Sequence, residues 1–191
     1  MNFLSVGFVL CTMNFNLGWE LNYGVRLVGA LFMLVGLAEA DSVSQGFKAF
    51  RGMVCSIAGI SAGGLAVTLM LRFGILPEKL RHPLGIVFGV SLAACVIWVE
   101  YRLLKHIVAR HELVNDPSLL GALQKKWTRY AFFAGLSVFT EALYRILPLS
   151  DLQAGVGAVE IISRIIMYVY VILVSLAFAR VRNDFNVMHP V

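Results

Sequence analysis

The stretch VGAVEIISRIIMYVYVILVSLAFA, residues 156–179, carries only two charged side chains, Glu160 and Arg164. A helix needs ~20 mostly apolar residues to cross the hydrocarbon core of a bilayer. In lipid the backbone must satisfy its hydrogen bonds internally, so such a stretch crosses as a helix. Residues 156–179 therefore predict a transmembrane helix, and the fold class follows from how many similar segments the chain contains.

The composition of the whole chain agrees with an integral membrane protein. Its 191 residues are 59% hydrophobic and 14% charged, and the mean hydropathy is +0.81. Soluble domains carry about 25% charged and about 45–50% apolar residues. The net charge of +5 is explained by the excess of basic residues in cytoplasmic loops of membrane proteins. We therefore expect the lipid bilayer as a partner and no nucleic acid.

Five further segments have the length and hydropathy of spans, and they cover residues 3–19, 23–38, 50–71, 84–104 and 127–147. The first contains Asn14 and Asn16, which are costly in hydrocarbon unless they face other helices. We predict an all-α, polytopic transmembrane helix bundle, a single domain of residues 1–191. It has six spans, or five if residues 3–19 do not cross.

The basic residues predict the orientation of this bundle. The connection between the fourth and fifth spans is the main basic loop, and it contains Arg102, Lys105, Arg110, Lys125, Lys126 and Arg129. Lys48, Arg51, Arg180 and Arg182 fall on the same side of the predicted membrane. The positive-inside rule puts this side, and both termini of a six-span chain, in the cytoplasm. This orientation does not explain three further basic residues, which would lie outside the cell: Arg72, Lys79 and Arg81.

Three local features complete the predicted architecture. The fourth helix is expected to continue past the membrane through residues 100–113, until the sequence NDPS ends it at residues 115–118. Residues 119–126 then read as a short amphipathic helix, and Trp127 and Tyr130 as interfacial anchors. Small residues predict close packing of the second, third and fourth helices. They are Gly29, Gly36, Gly52, Gly59, Gly63, Gly85 and Gly89.

Four charges stand on either side of the turn between the fifth and sixth spans. Glu141 and Arg145 are four residues apart, as are Glu160 and Arg164. Counting from the turn, an antiparallel hairpin puts Arg145 level with Glu160 and Glu141 level with Arg164. The four side chains are thus predicted to form a neutral polar centre. It is either a clasp that sets the helix register or a site for a proton, an ion or an anionic headgroup.

Other ionisable and reactive residues carry weaker predictions. Arg26, Glu39 and Glu100 are additional candidates for a functional site, but each lies close enough to a segment end for its charged group to reach the interface. Cys11, Cys55 and Cys95 stand in apolar segments and are expected to be buried free thiols. The sequence shows no catalytic motif, no metal-ligand spacing and no cofactor motif. We therefore expect no cofactor, and an enzymatic activity is not favoured.

Residues 13–50, MNFNLGWELNYGVRLVGALFMLVGLAEADSVSQGFKAF, contain an Asn-rich first segment and a Gly-rich second helix that ends in a Gly-Leu pair. A polar loop with Lys48 beside aromatic residues follows. This opening resembles that of uncharacterised multi-pass membrane proteins of Gram-positive bacteria. The resemblance implies a location in the bacterial cytoplasmic membrane and implies no activity.

Two functions remain open from the sequence. The first is a small transport or channel-type protein, alone or as a subunit of a larger complex, with the four Glu and Arg residues at its polar centre. The second is a non-catalytic assembly or regulatory subunit whose basic loop binds anionic lipid headgroups or a protein partner. A homo-oligomer or a membrane complex is compatible with both. A water-accessible cavity at the four charges would favour transport.

Overall fold

The computed structural model describes residues 2–12, 19–110, 113–146 and 151–188, without the side chains at 19–20, 145–146 and 151–153. Every element in these ranges is helical. The long helices are α1 (Asn2–Thr12), α2 (Trp19–Val43), α3 (Arg51–Arg72), α4 (Arg81–Val108), α5 (Pro117–Ile146) and α6 (Asp151–Met188). Two short 3-10 helices, Phe47–Phe50 and Glu78–Leu80, lead into α3 and α4.

The helices bury side chains that alternate three and four residues apart. In α2 the buried positions are Tyr23, Arg26, Ala30, Met33, Leu37 and Ala40. In α5 they are Leu120, Leu123, Trp127, Tyr130, Ala134 and Ser137, and in α6 they are Met167, Val171, Val174, Phe178, Val181 and Phe185. A 3–4 spacing keeps one stripe of a helix facing its neighbours over several turns, as in left-handed bundles. This stripe decides which polar residues are carried into the core.

Helix α1 is short but lies among the other helices. Leu4, Phe8 and Cys11 are fully buried, and the Phe8 ring lies 5.0 Å from the Phe178 ring of α6. The backbone of α2 comes close enough that a Cβ on Gly36 would lie 2.1 Å from the Leu4 nitrogen. Because such a distance is not tolerated, this approach of α1 to α2 requires glycine.

The close approaches differ from those predicted from the small residues. Gly29 and Gly36 of α2 do pack closely, but against α1 instead of α3 and α4. A Cβ on Gly52, Gly59 or Gly89 would meet no atom within 4 Å, so these three glycines do not hold helices of this chain together. The prediction is corrected at these positions.

The remaining glycines give a mixed result. Gly63 lies against the Phe88 ring, at 3.3 Å from an added Cβ. Gly64, which the prediction omitted, packs on the Tyr23 ring of α2 at 2.6 Å. The prediction for Gly85 stays a prediction.

Four described segments are long and apolar enough to span a membrane: Leu21–Val43, Phe47–Arg72, Glu78–Val108 and Ala154–Met188. They coincide with four of the six predicted spans. The fifth predicted span lies in α5, which has 30 residues and is not among these four. The 11 residues of α1 reach ~16 Å, about half of a ~30 Å hydrocarbon core. Whether the first segment crosses depends also on residues 13–18, outside the described ranges.

The outward faces of the helices are apolar. On α6 the exposed large side chains repeat three and four residues apart, opposite the buried stripe, and they are Ile162, Ile165, Val169, Ile172 and Leu176. Apolar surface of this extent on a soluble protein would promote association. The chain therefore has the make-up of a membrane protein.

The start of α1 and the end of α6 lie at the same end of the bundle. The amide of Asn186, near the end of α6, donates to the side-chain oxygen of Asn2 at 3.2 Å. The backbone N–H of Asn115, in the link from α4 to α5, donates to Asp184 at 2.7 Å. Arg110 of the same link donates to the Ser44 hydroxyl at 2.8 Å. The start of α1, the α2–α3 link, the α4–α5 link and the end of α6 thus form one end, the basic end.

Three predicted helix boundaries are corrected. Helix α4 ends at Val108 and does not continue to residue 113. Residues 119–126 are not a separate helix, because α5 runs without a break from Pro117. Asp116 caps that start by accepting the Ser118 N–H at 2.9 Å. Hydrogen bonds from the Ser118 hydroxyl and backbone hold the pKa of Asp116 below its usual range. Helix α6 continues beyond residue 179 to Met188.

Candidate functional site

The most buried acidic side chain of the described chain is Glu100, on the inner stripe of α4. Its exposed fraction is 0%. The Thr12 hydroxyl at the end of α1 lies 2.9 Å from Oε1, and the Trp127 indole N–H of α5 donates to Oε2 at 3.1 Å. Glu100 lies about 12 Å from the end of α4. It is therefore held inside the bundle by two helices distant in sequence.

Arg26 of α2 belongs to the same junction. It is only 7% exposed, and it is near enough to Glu100 for the two charges to interact. The Tyr130 hydroxyl of α5 donates to the Thr12 carbonyl at 3.2 Å, and the Cys11 thiol lies 3.7 Å from the Arg26 carbonyl. We call Glu100, Arg26, Thr12, Trp127 and Tyr130 the four-helix junction, since they come from α1, α2, α4 and α5.

The Thr12 hydroxyl has two acceptors and a single proton. It contacts both the Phe8 carbonyl and Glu100 Oε1. When Glu100 is ionised, the hydroxyl donates to the carboxylate. When Glu100 is protonated, the acid donates to the Thr12 oxygen, which then donates to the Phe8 carbonyl. The same atoms thus satisfy both states of Glu100, so the geometry permits a proton to be gained and lost there.

The surroundings of four of these residues differ from those predicted from the sequence. Arg26 and Glu100 were expected to reach the interface, and Trp127 and Tyr130 to anchor there, but all four are buried. The signal that identifies them is the 3–4 spacing of the buried stripe. Arg26 falls between Tyr23 and Ala30 in this pattern, and Glu100 between Val96 and Leu103.

The charges between α5 and α6 form a second cluster, as far as their side chains are described. Arg164 lies 3.3 Å from Glu141 across the two helices and also contacts Glu160 within α6. The structure therefore agrees with the prediction that Glu141 and Arg164 lie opposite each other on the two helices. The predicted layer of Arg145 and Glu160 lies outside the described residues, because the Arg145 side chain is not described. We call Glu141, Glu160 and Arg164 the hairpin cluster.

The hairpin cluster is less buried than the four-helix junction. The side chains of Glu141, Arg164 and Glu160 are 35%, 21% and 14% exposed. Tyr144 of α5 packs against α6 in the same hairpin, because its ring would lie 3.3 Å from a Cβ on Gly157. Two helices form this cluster, whereas four form the junction.

The residues of the predicted basic loop do not all share one role. Arg102, Lys105, Lys125 and Arg129 are exposed on the last turns of α4 and the first turns of α5, with Lys126 half-buried. Arg102 lies over the exposed Trp98 ring at 5.5 Å. Arg110 instead ties two loops together through Ser44 and the Gln45 carbonyl. The exposed four form a basic surface, and Arg110 belongs to the fold.

No family model matches the chain, and no match is found among curated proteins or solved structures. The resemblance to membrane proteins of Gram-positive bacteria therefore stays a prediction, and function is argued from the geometry alone.

Other candidate sites in the described chain are modest. A groove of about 470 Å³ runs along α1 and α2, and its lining is apolar: Leu10, Leu21, Gly24, Val25 and Val28. It contains none of the hairpin charges. Cys11 is buried and Cys95 half-buried, but Cys55 is exposed, which corrects the prediction of three buried thiols. Within the described ranges, no three His, Cys, Asp or Glu side chains gather as a metal ion would need.

Proposed function

We propose that the chain is a small polytopic transport protein whose ion-handling group is Glu100. The observation that supports this is a carboxyl group at 0% exposure, contacted by Thr12 and Trp127 inside a segment long enough to span a membrane. Ionisable residues inside membrane helices are rare and commonly mark proton relays or ion pathways. The transport centre we propose is thus the four-helix junction and not the hairpin cluster.

The Thr12 hydroxyl supports a proton as the transported or coupled ion. It can donate to an ionised Glu100 or accept from a protonated one, because the Phe8 carbonyl offers a second acceptor. Arg26 supplies a positive charge that offsets the ionised form. Proton exchange at Glu100 therefore needs no large rearrangement of the junction.

The topology we propose has six crossings with both termini in the cytoplasm. It is supported by the contact of Asn2 with Asn186, which puts the start of α1 and the end of α6 together. The exposed basic surface of α4 and α5 lies at the same end, as the positive-inside rule requires. A bacterial cytoplasmic membrane is the location implied by the resemblance of residues 13–50.

The test is proton flux into liposomes that contain the purified protein and an internal pH-sensitive dye. An acid step in the external potassium chloride buffer drives protons inward, and valinomycin with equal potassium on both sides keeps the membrane potential near zero. We expect Glu100→Gln to slow the flux at least about tenfold, because an amide cannot carry a proton across. Glu78→Gln is the matched control, since Glu78 is an 83% exposed acid. Equal flux in wild type and Glu100→Gln would refute a proton-handling role for Glu100.

A second function, a non-catalytic assembly or regulatory subunit, is favoured by the exposed basic surface. Arg102, Lys105, Lys125 and Arg129 stand on neighbouring helix ends, where each basic residue near an anionic bilayer adds about 1 kcal/mol of attraction. The open faces at Gly52 and Gly59 would admit a second copy or another membrane protein at close range.

Native mass spectrometry from nanodiscs of mixed neutral and anionic lipid tests this second function. Replacing the four basic residues by Gln is expected to remove retained anionic lipid. Replacing Lys79 and Arg81 at the opposite end by Gln is the control and is expected to change little. Equal lipid retention in both variants would exclude a role of the basic surface in lipid binding.

A further inference from the structure

Arg26 is a buried cation whose hydrogen bonding is incomplete. The residue is 7% exposed, and within the described part of the chain its Nε has no hydrogen-bond partner. A guanidinium keeps its charge in proteins and presents its donors in a planar fork. Polar groups this deeply buried are nearly always paired. A free donor of a permanent cation therefore points to an acceptor that binds there.

Glu100 compensates the Arg26 charge only while it is ionised. The charges of Glu100 and Arg26 interact, but the two carboxylate oxygens already contact the Thr12 hydroxyl and the Trp127 indole. Among the described residues, the other titratable groups that face Glu100 are Cys11 of α1 and Tyr130 of α5. A thiol and a phenol are ordinarily neutral near pH 7. Cys95, on α4 itself, is a further thiol that acts on Cys11.

The charge of the junction follows from this inventory. With Glu100 ionised, the −1 of the carboxylate and the +1 of Arg26 sum to zero. With Glu100 protonated, the junction carries +1. A net charge inside the helices is costly. Protonation is therefore favoured if one negative charge arrives together with the proton.

We propose that Arg26 binds a small monovalent anion, a halide or a carboxylate, and that the anion binds together with a proton on Glu100. The step is balanced: an ionised Glu100, one proton and one anion give a protonated Glu100 and an anion on Arg26, with zero net charge before and after. The guanidinium fork suits a carboxylate through two hydrogen bonds and a halide through a single point contact. This inference rests on the proposed transport function and names its substrate class.

Binding is measured through the fluorescence of Trp127, whose indole contacts Glu100. The other two tryptophans, Trp19 and Trp98, are replaced by Phe so that Trp127 is the sole reporter. The protein in nanodiscs is titrated with sodium chloride and, separately, with sodium acetate, with sodium sulfate holding the ionic strength constant. Because one proton is taken up with each anion, the apparent affinity is expected to rise up to about tenfold for each unit of falling pH.

Two variants separate the roles of Glu100 and Arg26. Glu100→Gln imitates the protonated acid, so it is expected to bind the anion with an affinity that does not change with pH. Arg26→Gln removes the positive charge and is expected to weaken binding at least about tenfold at every pH. Arg26→Lys keeps the charge without the fork, so it is expected to keep its chloride affinity and to bind acetate more weakly than the wild type does.

The proposal is overturned if Glu100→Gln shows the pH dependence of the wild type, or if Arg26→Gln binds as the wild type does. Circular dichroism checks that each variant is folded, and the Glu100→Gln result decides alone if Arg26→Gln does not fold. The proposal is also overturned if the wild type binds neither chloride nor acetate. Proton flux without anion binding would leave the transport function standing and remove this inference. Anion binding without proton flux would remove the transport function and leave the anion site at Arg26 standing.

Discussion

The two charged regions of this bundle differ in how their partners are arranged. In the hairpin cluster Glu160 and Arg164 are four residues apart on α6, and Glu141 lies on the preceding helix, α5. In the four-helix junction Thr12 and Glu100 are 88 residues apart, and Glu100 and Trp127 are 27 apart. The hairpin side chains are 14–35% exposed, whereas Glu100 and Arg26 are 0% and 7% exposed.

This difference shows that the conspicuous charges of a membrane sequence need not be the most buried ones. Acids and bases at i,i+4 spacing can neutralise each other locally, so they are tolerated at a two-helix boundary. A lone acid on the inner stripe of a helix has no local partner. Its partners must come from other helices, which happens only if the tertiary packing brings them there.

The largest effect on the four-helix junction is expected from a substitution that displaces α1 and changes no charged residue. In Gly36→Ala the added Cβ would lie 2.1 Å from the Leu4 nitrogen, so α1 must shift and carry Thr12 away from Glu100. We expect a loss of about 3 kcal/mol or more in the free energy of unfolding, at the upper end for overpacked sites, because the clash is with backbone. Thermal unfolding in detergent is the measurement.

Gly59→Ala is the control for this substitution, because a Cβ there meets no atom within 4 Å. We expect it to be neutral or to stabilise α3 by up to about 1 kcal/mol, since alanine is the better helix former. Equal melting temperatures for Gly36→Ala and Gly59→Ala would contradict the close approach of α1 and α2.

A smaller effect is expected from removing one donor of the junction. Trp127→Phe keeps an aromatic ring beside Tyr101 but deletes the N–H that binds Glu100 at 3.1 Å. An acceptor left unpaired in the interior costs about 1–3 kcal/mol. Trp98→Phe, at a residue 55% exposed, is the control and should cost less. Similar unfolding temperatures for the two variants would mean that the indole hydrogen bond does not stabilise the bundle.

The smallest effect is expected at the hairpin cluster. Glu141→Arg and Arg164→Glu each replace an attraction by a repulsion, and a pair of this exposure is worth about 0–1 kcal/mol. The double variant is expected to recover part of the loss, because Glu160 would then face a second acid four residues away. A double-mutant cycle of unfolding temperatures measures this coupling. No recovery in the double variant would show that Glu141 and Arg164 do not act as a pair.

Much of the fold was predictable because hydropathy and turn residues act locally. Residues 50–71 were expected to form a span and α3 covers Arg51–Arg72. The pairing of Glu141 with Arg164 followed from counting residues on either side of one turn. The end of α4 and the continuous α5 did not follow, because the Asp184 and Arg110 contacts that organise this link come from distant parts of the chain.

The sequence by itself determined the class of protein, the four long apolar helices and the hairpin charges, since all three depend on neighbours along the chain. Only the tertiary structure decided that Arg26 lies near enough to Glu100 for their charges to interact, that Thr12 at the end of α1 contacts Glu100, and that Gly36 and not Gly59 marks a close helix approach. The physical reason is that a helix carries every residue of its inner stripe into the core. Which polar residues then find partners depends on the helices packed against that stripe.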